Sequence, residues 1–79
     1  MQVDVLYFAS LRDAAGCERE RLDTAATDLA TLYAELAARH GFRFAPAHLR
    51  VAVDGAFARW SDAPRAGSEI VFIPPVSGG

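Results

Sequence analysis

At 79 residues the chain is one domain, near the lower limit at which a single apolar core suffices without metals or disulfides. Hydrophobic residues make up 52%, enough to fill a core and too much for a disordered segment, and the net charge of −2 supplies no basic face for nucleic acid. The lone Cys17 excludes an intramolecular disulfide and a cluster of thiolate ligands. MQVDVLYF lacks the basic region and long apolar stretch of a signal peptide, and no run approaches the roughly 20 apolar residues of a membrane span. A cytoplasmic protein without membrane contact is therefore expected. Every basic side chain other than histidine is arginine, which the many alanines connect to a compositional bias.

VDVLYF (3–8) is short, β-branched and aromatic, and predicts a strand. In SLRDAAG, Ser10 is expected to cap a helix of one or two turns, with Asp13 three residues on and Gly16 closing it. ERERLD (18–23) predicts an edge strand, because alternating charges discourage pairing with another chain. TDLATLYAELAARHG (27–41) carries the clearest signal. Leu29, Leu32, Tyr33, Leu36 and Ala37 recur at the spacing of an amphipathic helix. Thr27 or Asp28 is expected to cap it, Arg39 suits the negative end of its dipole, and Gly41 suits a left-handed exit.

FRFAPAH (42–48) reads as a loop broken by Pro46. LRVAV (49–53) and AFARW (56–60) flank Asp54-Gly55, the pair favoured by two-residue hairpins. SDAPRAGS is turn-rich, and EIVFI (69–73) predicts the last strand. Pro74 and Pro75 lack N–H donors, so the ladder ends there and the chain leaves it extended. The order β, short α, β, long α, β, β, β predicts an α+β domain of β-grasp (ubiquitin-like) type. Its mixed sheet of four to five strands would be covered on one face by one long helix, with a short extra helix. Residues 1–75 form that domain in this reading, and 76–79 a flexible Gly-Gly tail.

The face opposite the long helix should be polar, yet period-two alternation places Leu6 and Phe8 beside Asp4, Phe57 beside Arg59, and Val71 and Ile73 beside Glu69. Loops or the first helix would cover them in one reading. A contiguous docking patch for a partner is the reading favoured here.

The end FIPPVSGG raises the question of chemistry. Two terminal glycines arise by chance in roughly one chain in two hundred at ordinary glycine usage, so their context carries the argument. A stiff Pro-Pro exit, a Val-Ser spacer and an end without side chains make a thin probe that could thread a narrow channel. Such a tail delivers its own α-carboxylate to another protein. A carboxylate is a poor electrophile and needs activation, for example as an acyl-adenylate. Sulfide transfer onto that acyl group would leave a thiocarboxylate, a strong sulfur nucleophile.

With that ending, the LYFASLRDAAG start and the Asp54-Gly55 hairpin, the whole chain resembles the small subunit of molybdopterin synthase, the ubiquitin-like sulfur carrier of molybdenum cofactor biosynthesis. The resemblance implies that Gly79 is adenylated by an E1-like adenylyltransferase, which binds the ATP, and is converted to a thiocarboxylate with a sulfur donor protein. Pro74, Pro75, Val76, Ser77 and Gly78 would then enter the large synthase subunit, where the sulfur passes to cyclic pyranopterin monophosphate to build the dithiolene. It further implies a heterotetramer in which two loaded carriers serve each pterin, with Phe8, Arg12, Phe57 and Ile73 as partner contacts. The chain would be no enzyme on its own and would bind no cofactor or metal. A thiamine-type sulfur carrier, a ubiquitin-like protein modifier and a plain β-grasp docking module remain as alternatives. His40, at the expected helix end, and His48, in the expected loop, are not spaced as a ligand pair and read as surface or capping residues. No paired-carboxylate, Ser/His/Asp or P-loop arrangement is present in the sequence.

Overall fold

Two strands from opposite ends of the chain lie side by side at the centre of the fold. A computed structural model describes residues 1–74. Its elements are β1 (Gln2–Tyr7), α1 (Ala9–Ala15), β2 (Arg19–Asp23), α2 (Leu29–His40), a 3₁₀ turn (Pro46–His48), β3 (Arg50–Val53), β4 (Ala56–Ala58) and β5 (Glu69–Ile73). They form one sheet of five strands in the order β2-β1-β5-β3-β4. β1 and β5 run parallel, with Asp4 opposite Glu69 and Tyr7 opposite Phe72, and every other pairing is antiparallel. The chain from β2 through α2 to β3 must therefore cross over β1 and β5. Those two strands lie deepest: Val5, Tyr7, Ile70 and Phe72 are each 0% exposed.

The mixed sheet with one long and one short helix agrees with the expected β-grasp architecture, and the number of strands is five. Leu29, Leu32, Tyr33 and Leu36 of α2 are buried against the sheet, as their spacing predicts. Burying each leucine contributes roughly 1.5–3 kcal/mol. Tyr33 is the aromatic hub, with its ring 5.2 Å from Phe72, 5.7 Å from Trp60 and 5.9 Å from Phe42. Its hydroxyl donates to the Phe44 carbonyl at 2.7 Å, so the buried polar group is satisfied.

Asp28 is the α2 cap, accepting the Thr31 N–H at 2.7 Å. Two further orphan donors of the first turn reach the β4–β5 connection: Leu29 donates to the Asp62 carbonyl at 2.9 Å, and Ala30 to that of Trp60 at 3.0 Å. The helix ends at Gly41, with φ of 74° and its N–H on the Ala37 carbonyl at 2.8 Å.

The start of α1 departs from expectation. Phe8, in extended conformation, takes the cap position without a side-chain hydrogen bond, and Ala9 turns the chain with φ of 48°. The Phe8 carbonyl accepts the Leu11 N–H at 3.0 Å. Ser10 therefore lies inside the helix and caps nothing, and Asp13 falls outside its first turn. The reason is packing, since an entry at Ala9 sends Leu11, 1% exposed, into the core. The 42–48 segment, expected as a loop, closes with the single 3₁₀ turn that Pro46 starts.

The sheet edges are blunted in two ways. β2 carries Arg19, Glu20, Arg21 and Asp23, and β4 has only three residues. The β3–β4 turn is the expected Asp54-Gly55 pair, with φ of 51° and 87°, the signs that a primed hairpin turn requires.

Candidate docking face and tail root

Strand alternation and register together lay out the uncovered face. Leu6 lies opposite Val71, Val71 opposite Ala52, and Ala52 opposite Phe57. This apolar row crosses the sheet through four strands. Ile73 lies beyond it on β5, directly opposite Arg50. Phe8 follows β1 at the same end, so it stands next to Ile73 by parallel register. Phe8 is 46% and Phe57 69% exposed, and both belong to the large hydrophobic residues left open to solvent. α1 does not cover them, because Leu11 sends it into the core. Between Phe57, Val71 and Ile73 lies a shallow depression of about 240 Å³, floored by Ala52 and bounded by Gly55 and Glu69.

The charged groups divide along the same face. At the far end Arg21 Nε meets Asp4 Oδ1 at 3.0 Å, and this hydrogen bond holds the Asp4 carboxyl below its ordinary range. Arg19 Nη2 reaches Glu69 Oε2 at 3.4 Å. Asp54 closes that end: its carboxylate accepts the Glu69 N–H at 2.9 Å, and its own N–H donates to the Glu69 carbonyl at 2.9 Å. At the end where β5 finishes, Arg50 instead lies over the Phe57 ring, with Cζ 5.5 Å from its centroid. Arg12 is exposed on α1, four residues beyond Phe8.

The structure therefore brings three expected contact residues, Phe8, Phe57 and Ile73, onto one face, while the fourth, Arg12, is exposed on α1. Arg50 was missed by the sequence reading. Its signal was the period-two pattern of LRVAV, which turns Arg50 and Ala52 outward once Leu49 and Val51 are taken as core. Pro74 is buried at the end of β5. Pro75, Val76, Ser77, Gly78 and Gly79, to which the sequence reading assigns tail insertion and sulfur chemistry, lie outside the described residues, and so does the expected 75/76 boundary.

On the opposite face, one polar cluster was not foreseen. Glu20 Oε1 accepts from the Tyr7 hydroxyl and lies 2.8 Å from His40 Nε2. Burial first, then the bond to Glu20, pushes the Tyr7 hydroxyl far above its ordinary value. Burial also raises the Glu20 carboxyl, but the hydrogen bonds from Tyr7 and His40 outweigh it and leave Glu20 below its ordinary value. His40 is thus no surface group: it joins the C-terminal end of α2 to the β2 edge, with its side chain 14% exposed. Its ring also packs on Phe42 and edge-on to Tyr7. His48 is exposed, as expected, and Cys17 is half-buried against the core. Among the described residues no group of three or more His, Cys, Asp or Glu side chains could hold a metal ion, and no helix is long and apolar enough to cross a membrane.

A five-stranded mixed sheet gripping one long helix, with an apolar face left open beside the last strand, defines a ubiquitin-like β-grasp protein. More particularly, the chain belongs to the ThiS family, which it matches over residues 5–79. Solved structures carry the same fold. A putative molybdopterin converting factor subunit 1 from Pyrococcus furiosus is 27% identical, with 96% of this chain and 99% of that one covered and a TM-score of 0.81. SAMP1 from Haloferax volcanii, a small archaeal modifier protein, is 26% identical with all of both chains covered and a TM-score of 0.78. A chain in the complex of subunits 1 and 2 of molybdopterin-converting factor from Helicobacter pylori is 25% identical, again with both chains fully covered, at a TM-score of 0.68. No curated protein matches the chain in sequence. The fold is thus the ubiquitin-like sulfur-carrier fold.

Proposed function

We propose that this protein is the sulfur-carrying small subunit of a molybdopterin synthase. The observation that carries the reading is the open apolar face, Phe8, Phe57, Val71 and Ile73, lying beside the end of β5 from which the tail departs. A partner seated on that face would stand where residues 75–79 can enter it. Gly79 is the sixth residue after Ile73, and at about 3.3–3.6 Å per residue six fully extended residues span roughly 20 Å. The Helicobacter pylori relative, in complex with a second subunit of molybdopterin-converting factor, supports such a partner.

In the proposed cycle the tail carboxylate is activated, loaded with sulfur and restored. The Gly79 carboxylate attacks the α-phosphorus of ATP on an E1-like adenylyltransferase and expels pyrophosphate. A sulfide-level sulfur from a donor protein then adds to the acyl carbon, and AMP leaves with the oxygen it had captured. The resulting thiocarboxylate enters the large subunit and gives its sulfur to cyclic pyranopterin monophosphate, after which water restores the carboxylate. Two loaded carriers per pterin make a heterotetramer with two large subunits the expected assembly. ATP and pterin are both bound by partners in this scheme.

Reconstitution tests it. The chain, incubated with ATP, an E1-like adenylyltransferase and a sulfur donor, should gain one oxygen-to-sulfur exchange localised to Gly79 by peptide mass analysis. Localisation separates it from oxidation at Cys17. Loaded protein plus large subunit should convert cyclic pyranopterin monophosphate, and deletion of Gly79 should abolish conversion. Loading without conversion would refute the synthase assignment and leave a carrier for another acceptor, such as a thiamine-type pathway.

The likeness to the Haloferax volcanii modifier favours one second reading, a protein modifier joined through Gly79 to lysines of other proteins. Isopeptide adducts carrying the Gly-Gly remnant would establish it. The chain has no lysine of its own, so such adducts would not extend through internal lysines into chains.

A further inference from the structure

We propose that Arg50 and Arg59 form a charge-reading edge of the docking face, selecting a partner surface that places carboxylates beside its apolar centre. The inference rests on the reading that a protein partner covers this face, and it adds the chemistry by which the right partner is chosen.

The charged groups of this face are distributed asymmetrically. Asp4 and Glu69, at the end remote from the tail, are each matched by an arginine, at 3.0 and 3.4 Å. Asp54 at that same end is occupied by the Glu69 backbone N–H. Arg50 has no carboxylate within ion-pair distance among the described residues, although it stands next to Ile73 in the β3–β5 register and lies over Phe57. Arg59 follows Ala58 at the end of β4. Its neighbours Ala58 and Trp60 both pack against the core, so alternation sends Arg59 to the Phe57 side. Its backbone N–H is anchored on the Asp62 carboxylate at 2.9 Å, yet no salt bridge of its guanidinium is present among the described residues.

Two arginines without a salt bridge among the described residues therefore border the apolar patch on its β3–β4 side, in a chain whose net charge is −2. Arg50 lies over Phe57 and Arg59 follows it two residues on, and Phe57 is the most exposed of the large hydrophobic residues among the described residues. Arg50 is also stiffened by the ring beneath it, and an arginine held against an aromatic face loses less freedom on pairing than a free one. A carboxylate arriving with the partner would meet a guanidinium already in place. Such border charges act on encounter rate and partner choice more than on the final affinity, and salt screens them. An apolar patch by itself accepts any apolar surface of suitable shape. The arginines reject those with a basic margin.

The test uses the full chain and its large synthase subunit, with binding kinetics measured over a range of salt. Arg50→Glu/Arg59→Glu should weaken binding about tenfold or more at low ionic strength, chiefly through a slower association rate, and the difference should shrink as salt is raised. Arg43→Glu, exposed in the segment before the 3₁₀ turn, should leave binding unchanged, and thermal melts should show all variants folded. Phe8→Asp serves as the separate control for the face. If Phe8→Asp weakens binding while the double reversal matches wild type at every salt, the face docks but the charge reading is overturned. If wild type does not bind the large subunit at all, the proposed function falls and takes this inference with it. If sedimentation shows wild-type self-association that the double reversal abolishes, with large-subunit binding unaffected, the occupant is a second copy and the proposal is overturned.

Discussion

The Glu20 carboxylate is the point at which the β2 edge, β1 and the end of α2 are tied together, and its removal should cost more than one hydrogen bond. Tyr7 is 0% exposed, so in Glu20→Ala its hydroxyl is left buried without an acceptor. An orphaned buried hydroxyl costs about 1–3 kcal/mol. The bond from His40 to Glu20 is lost as well, but His40 retains some access to water. The expected total is about 2–3 kcal/mol, a large share of the roughly 5–15 kcal/mol that stabilises a small domain. Tyr7→Phe removes the donor and should cost about 1.5 kcal/mol, since the acceptor is charged. In that background Glu20→Ala no longer orphans anything and should cost only about 1 kcal/mol, giving a coupling near 1.5 kcal/mol. Urea unfolding measures all four proteins. With a slope of about 1 kcal/mol per molar, Glu20→Ala alone should lower the midpoint by about 2–3 M. A coupling below about 0.5 kcal/mol would show that Tyr7 finds another acceptor and would refute the account of the cluster as one unit.

The same carboxylate sets a pH dependence. Glu20 is held below its ordinary value of 4.5, because the Tyr7 and His40 hydrogen bonds outweigh burial. Its contribution is therefore present above about pH 4.5 and lost as the pH falls through the lower folded-state value, so acid should destabilise wild type more than Glu20→Ala, as read from urea midpoints. Phe72→Ala should remove about 3–5 kcal/mol and lower the urea midpoint accordingly, whereas Phe57→Ser should change stability by no more than about 0.5 kcal/mol. Ala9 holds φ of 48°, a conformation that costs a residue with a Cβ about 1–2 kcal/mol. Ala9→Gly should accordingly stabilise the fold by up to about 1 kcal/mol, a rise in Tm of several degrees. Gly41→Ala introduces the converse strain at φ of 74° and should lower stability by about 1 kcal/mol in the same melt.

The sequence by itself determined the elements whose cause is local. Spacing at 3.6 residues marked Leu29, Leu32, Tyr33 and Leu36 as one helix face, and all four are buried. Period two separated Val3, Val5 and Tyr7 from Asp4 and Leu6, and Asp54-Gly55 fixed the hairpin through its need for positive φ. Those same periods exposed Phe8, Phe57 and Ile73 as one unexpected face. Tertiary structure decided whatever joins distant parts of the chain. Glu20 meets Tyr7 and His40 across 13 and 20 residues, and the Trp60 and Asp62 carbonyls complete the first turn of α2 from some 30 residues away. No short-range pattern encodes such partners, because they are chosen by where the sheet and helix are packed. Ser10 failed as a cap for a related reason: burying Leu11 set where the helix begins, and the gain from one buried leucine exceeds that from one capping bond. The charge asymmetry of the open face likewise emerged only once the fold let the Arg19 side chain reach Glu69 across β1 and the register placed Arg50 beside Ile73.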